Sequence, residues 1–223
     1  MAITDEATPD GYDVQMQTNH LSHFLLTAEL WPLLETAQKK RGDARVVQHS
    51  SGARKQGGKK LDARYLGKNG GDLGGNSAGI FPFSGARWTR YQQTKLANVA
   101  FTYALRDRLA KAGSQIKALV AHPGLAATRL QVTTVADGGM SDWFTGYFMN
   151  GLSQSGEDGT VPLLICTCAS EWDGRKVSSG DFYGPALAAG RPILVPEEPL
   201  ADEAARELLW RLSTEATGAK FPF

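Results

Sequence analysis

The stretch ARVVQHSS, residues 44–51, decides how this chain is read. Its centre, Val46-Val47, is apolar and β-branched, the run is too short for a helix, and it ends in a pair of serines. Those features describe a buried strand running into a polar loop. Outward along the chain, QIKALVAHPG (115–124) has the same character and is ended by Pro123-Gly124. Between the two strands a helix is predicted from Arg87 to Ala112. Leu96, Val99, Ala100, Tyr103 and Leu105 give it a wide apolar stripe, and Gly113 is a fitting stop.

Upstream, Thr8-Pro9-Asp10-Gly11 is predicted to open a helix, with Thr8 as cap and Pro9 at the first position. That helix runs to Gln38, kinked or split by Pro32. Downstream, Gly156–Ser170 contains a helix, Asp181–Tyr183 a short strand, and ADEAARELLWRLSTEATG (201–218) a last helix closed by Gly218. Alternating helices and strands in this order make an α/β fold with helices covering a mainly parallel sheet. Residues 52–86 read as a long loop with one helical turn, and 125–155 as irregular and aromatic.

Bulk properties narrow the function. With 223 residues, 42% hydrophobic and 21% charged, the chain suits one α/β domain spanning 1–223. A net charge of +1 gives no field for nucleic acid or a membrane surface. No apolar run reaches transmembrane length. Cys166 and Cys168 cannot build a disulfide framework, and both are expected to be buried thiols; a reducing, cytoplasmic setting follows as the default.

Chemistry points first to Tyr91-Gln-Gln-Thr-Lys95, which places a phenol and an ammonium on one helical face, one turn apart. Moving a phenol from its reference value near 10 to neutrality takes about 4 kcal/mol. One positive charge about 4 Å away at an effective dielectric near 20 supplies that amount. The pair can therefore act as a tuned general acid/base, although the same spacing also arises as a plain surface pair. Ser51 stands at a strand end before it, where open α/β sheets bind ligands.

A helix with N-H-L-x-H-F, a strand ending in S-S, Y-x-x-x-K leading into K-L-A-N, and H-P-G-x-x-x-T after a strand occur here in order. The order resembles the short-chain dehydrogenase/reductases, most of all their retinol dehydrogenase and protochlorophyllide reductase-like branch. Later F-Y-G-P, G-R-P and L-W-x-L-S-x-x-x-T-G are similar to that branch as well. The resemblance implies a three-layer Rossmann-type parallel sheet with helices on both faces. It also implies a catalytic set of Asn19, Ser51, Tyr91 and Lys95. Tyr91 would exchange the proton with the substrate oxygen, Ser51 would hydrogen-bond that oxygen, Lys95 would lower the Tyr91 pKa and bond the nicotinamide ribose, and Asn19 would support a relay to Lys95. Pro123, Gly124 and Thr128 would border the nicotinamide, which Tyr91 and Lys95 also contact. The implied cofactor is NADP(H) in preference to NAD(H), and the implied substrate a small hydrophobic carbonyl or alcohol; a homo-oligomer is left open.

The same resemblance implies a part not found in these residues. The family's TGxxxGxG turn and N-N-A-G segment have no match, so the expectation is an N-terminally incomplete domain with its first strands missing. Such a chain would bind a nicotinamide dinucleotide weakly or not at all, and the strand at Val46-Val47 would keep an open edge. GKNGGDLGGNSAG (67–79) does not sit between a strand and a helix, so it reads as a flexible insertion rather than a phosphate cradle. The rival reading is a truncated, non-catalytic chain that serves as a subunit or binding module.

Other candidates read as structural. His20 and His23, three apart on a helix, lack a third metal ligand and are expected to pack. Arg54, Lys55, Lys59 and Lys60 read as a solvated basic loop. Trp143, Phe144, Tyr147 and Phe148 read either as an apolar lid over the substrate or as a packed surface helix.

Overall fold

A computed structural model describes residues 1–55, 59–77, 79, 83–141, 146 and 150–223. The aromatic stretch 143–148 lies outside the described residues apart from Gly146. The main sheet has strands β1 (Arg45–His49), β2 (Lys117–Ala121), β5 (Phe182–Pro185) and β6 (Pro192–Leu194), in the order β1-β2-β5-β6. β1 pairs parallel with β2, in register Val46↔Ala118 and Val47↔Leu119, and β2 pairs parallel with β5. β6 returns antiparallel to β5, and a separate hairpin joins β3 (Glu171–Trp172) to β4 (Arg175–Lys176). The pattern of alternating elements does not announce β6 or the hairpin. Both are very short, and Pro192 is tolerated because it begins an outer strand.

Side-chain alternation divides the sheet between two cores. Val46, Ala118, Val120 and Phe182 point into the larger core. Its helical side is built from α1 (Ser22–Glu29), α2 (Trp31–Arg41), α3 (Ala86–Lys111) and α6 (Glu203–Thr217). Val47, Leu119, Ala121 and Tyr183 point the other way, against Ile165 and Cys166 of α5 (Gly156–Cys168). The result is a three-layer α/β/α arrangement of Rossmann type. All five stripe residues of α3, from Leu96 to Leu105, are buried. A further helix, α4 (Arg129–Ala136), follows β2. No helix among the described residues is long and apolar enough to cross a membrane.

Several local expectations are corrected. A short helical turn, Val14–Met16, precedes α1, and the helical run starts there, where the Asp13 carboxylate accepts the Met16 N–H. Thr8–Tyr12 instead closes a turn, with Gly11 at φ 88° and its N–H bonded to the Thr8 carbonyl. The split expected at Pro32 is present: the long N-terminal helix breaks at Leu30, just before Trp31-Pro32. Cys166 is buried but Cys168, at the end of α5, is exposed.

The glycine-rich stretch is not a free insertion. The Asp5 carboxylate accepts the N–H groups of Leu73 and Gly75 at 2.9 and 2.7 Å. Arg90, fully buried on α3, donates to the carbonyls of Gly75 and Ile3 and lies 3.4 Å from Asp5 and 3.6 Å from Asp13. Gly71, at φ 82°, passes so close to Ala7 that a side chain would meet its backbone nitrogen at 3.1 Å. Glycines here permit close packing between loop and N-terminal segment.

Candidate active site

Every residue singled out for chemistry lines one cavity of about 630 Å³: Asn19, Ser51, Tyr91, Lys95, Pro123, Gly124 and Thr128. It opens where β1 and β2 end, at the carboxyl edge of the parallel strands. Apolar walls come from Phe83, Trp88, Leu125, Leu163 and Leu187. None of the described residues of 67–79 reaches it.

The serine pair divides its work. Ser50, wholly buried, donates its hydroxyl to the Lys95 carbonyl at 2.8 Å and its N–H to Ala121, which locks β1 to α3 and β2. Ser51 faces the cavity beside Tyr91. Lys95 Nζ lies 5.7 Å from the Tyr91 ring centre and donates to the His49 carbonyl at 3.0 Å. Asn98, one turn on, donates to the same carbonyl at 2.9 Å. Asn19 sits in a single π-helical turn, Gln17–Leu21, and its amide donates to the Thr94 hydroxyl at 3.1 Å. Such turns are frequent at functional sites because they re-aim one side chain.

Burial pushes the Tyr91 phenol up to about 12, with the neighbouring Ser51 hydroxyl opposing it. The same burial brings the Lys95 ammonium down to about 8. The phenol therefore carries its proton at neutral pH, and the lysine is largely charged. The influences on the phenol in this protein are burial and Ser51, so the lowering expected from Lys95 does not appear in this geometry.

The turn after β2 is held from three sides. Gly124 has φ 67°, and a Cβ there would come within 2.4 Å of the Ala188 carbonyl oxygen. Its N–H donates to His122 Nδ1 at 3.2 Å, and the buried His122 ring stands edge-on to Phe182. Gln154 donates to the Pro123 carbonyl at 2.7 Å and accepts from Gly190 at 2.9 Å, tying the turn to the 187–190 loop. Trp88, one turn before Tyr91, meets its ring at a centroid distance of 5.7 Å and donates its indole N–H to Gly139. Sequence reasoning missed Gln154 and Trp88; only Trp88, three residues before Tyr91 on a helix, left a signal in spacing.

The remaining candidates separate. His20 is buried, its Nε2 2.7 Å from Ser213 Oγ, while His23 is exposed. Lys55, Lys59 and Lys60 are exposed, but Arg54 is not: it is buried in an ion pair with Glu198 at 2.9 Å. The solvated-loop reading fails for Arg54 because a carboxylate 144 positions away covers it.

No family model matches the chain. Among curated proteins, an uncharacterized oxidoreductase of Schizosaccharomyces pombe is 39% identical over 127 residues, covering 56% of this chain and 34% of that protein. Human retinol dehydrogenase 13 is 30% identical over 224 residues, covering 96% of this chain and 57% of that enzyme. A crystal structure of an uncharacterized protein from Mycobacterium paratuberculosis is 30% identical with a TM-score of 0.64, covering 100% of this chain and 65% of that one. The chain thus spans between a third and two thirds of the length of these proteins.

Proposed function

The chain is by sequence a short-chain dehydrogenase/reductase of the retinol dehydrogenase-like branch, and from that premise we propose that it is an oxidoreductase moving a hydride between a nicotinamide cofactor and a hydrophobic carbonyl or alcohol. The gathering of Ser51, Tyr91 and Lys95 in one cavity with the 123–128 turn carries this reading. A protonated phenol beside a second hydroxyl is suited to hold a carbonyl oxygen and give it a proton. Lys95 holds positive charge on the same wall and fastens α3 to the end of β1.

The residues fit the nicotinamide end of such a cofactor. Tyr91, Lys95, Pro123, Gly124 and Thr128 would hold it, on a turn that glycine lets pack closely against Ala188. When bound, that group supplies or takes up the hydride, and the protein orients and polarises. Our choice of NADP(H) over NAD(H) rests on the branch alone. The apolar walls favour a substrate with a hydrocarbon body, which excludes water from the reacting oxygen.

Replacing Tyr91 with Phe tests the proposal. In the full-length protein, reduction of cinnamaldehyde by NADPH should fall about 100-fold or more, since positioned general acids contribute that much, with the circular dichroism spectrum unchanged. A variant that keeps the original kcat would overturn the assignment.

A further inference from the structure

Arg54 follows Ser51 within one 3-10 turn, Gly52–Lys55, and is wholly enclosed. Its Nη1 donates to the Ser51 carbonyl at 3.0 Å, and its backbone N–H donates to the same oxygen at 3.2 Å. Its Nε donates to Glu198 Oε2 at 2.9 Å, and both side chains are only 2% exposed. The guanidinium lies 4.3 Å from the Phe182 ring centre on β5. Glu198 is held in turn: its N–H donates to the Tyr103 hydroxyl on α3, and its carboxylate accepts from Leu200. The Ser51 hydroxyl also accepts from Ala53 N–H in the same turn, and Ser51 and Tyr91 line the same cavity.

We propose that the buried Arg54–Glu198 pair is a positioning device for Ser51, through which the segment after β6 sets the hydroxyl against Tyr91. The proposal rests on the Ser51–Tyr91 reading above and goes beyond it by assigning a role to a C-terminal carboxylate that never reaches the cavity. A planar guanidinium suits the task because it can serve a carboxylate and a carbonyl at once from a fixed fork. A lysine ammonium is a point donor on a flexible stem and cannot hold both in that geometry. The location of the pair explains why it is charged. Two apolar side chains would fill the space equally well and are often as stable in such sites, but they would leave the Ser51 carbonyl with no side chain to fix its peptide.

The test compares Arg54→Met/Glu198→Leu with Ser51→Ala, singly and together, in the full chain. The probe is the ¹³Cζ resonance of Tyr91, which reports the surroundings of its hydroxyl, Ser51 included, and needs no turnover. Ser51→Ala should move it. The paired exchange should move it in the same direction by at least half as much, and should add nothing in the Ser51→Ala background. The kcat for cinnamaldehyde with NADPH should fall between about 10- and 100-fold on the paired exchange, as expected for a misplacement of the order of 1 Å, and not at all in the Ser51→Ala background. Thermal unfolding checks that the paired variant is folded. If it is not, Arg54→Lys carries the test and should shift the resonance the same way. A Tyr91 resonance that stays in place, or an equal effect with and without the serine hydroxyl, would overturn the proposal. If the resonance behaves as expected while no variant, nor the original protein, reduces the aldehyde, the positioning role stands and the oxidoreductase reading fails.

Discussion

Lowering the pH from 7 to 5 should destabilise this protein through His20 in particular. The ring is fully buried between Phe24 and Phe101, with Nε2 on Ser213 and Nδ1 unpartnered. Burial holds it down to about 3, against 6.5 in an unfolded chain. Between those values the unfolded chain takes a proton that the folded chain refuses. Stability from this group is therefore complete above pH 6.5 and is lost as pH falls toward 3. By pH 5 the loss is about 2 kcal/mol, and below pH 3 it reaches about 5 kcal/mol. Against a total of about 5–15 kcal/mol for a typical domain, that is a large fraction. His122, buried and also held near 3, adds in the same direction. The assay is urea unfolding at pH 7 and pH 5, on the original protein and on His20→Gln. Glutamine can still bond Ser213 but does not titrate, so the variant should lose about 2 kcal/mol less between the two pH values. Each protein is its own reference, so any packing cost of the glutamine cancels. Equal losses in both proteins would refute the argument.

Two further substitutions probe the turn after β2 and the anchoring of the 67–77 loop. Gly124→Ala puts a methyl group 2.4 Å from the Ala188 oxygen at a φ of 67°; it should cost about 2 kcal/mol or more in thermal unfolding, and an unchanged midpoint would mean the turn is not as tight as described. Asp5→Ala removes a carboxylate from the buried Arg90 cluster and from the amides of Leu73 and Gly75. It should cost about 3 kcal/mol and speed proteolysis within residues 67–77, and cleavage at the original rate would show that Asp5 does not hold that loop.

What the chain reveals before folding depends on how far apart the cooperating atoms lie. Tyr91 and Lys95 share a helix, so a four-residue spacing alone places them on one face. Ser51 and Pro123-Gly124 end strands whose apolar runs are visible, and parallel pairing then brings both ends to the same edge of the sheet. The cavity was legible because each of its parts has a local signature. Where two local signals compete, tertiary contacts decide: Thr8 and Asp13 can each cap a helix, and Asp13 does so because Gly11 lets the chain turn and Arg90 is buried beside it.

The supporting residues have no such signature. Arg54 sits among lysines and looks like any solvated cation until Glu198 folds over it. Gln154 is one amide in an irregular stretch, yet it joins the turn after β2 to the 187–190 loop. The glycines of 67–79 suggest looseness because glycine is permissive, but permissiveness equally allows backbone to approach backbone, as at Gly71 and Ala7. Which of the two a glycine run does is settled by polar groups elsewhere, here Asp5 and Arg90, that satisfy its amides and carbonyls. The chemistry of this site is thus written locally while its rigidity is written at long range. Substitutions at Arg54 or Glu198 should accordingly alter how well the Ser51 hydroxyl is held, and those at Asp5 how well the 67–77 loop is held, while the side chains that line the cavity stay the same.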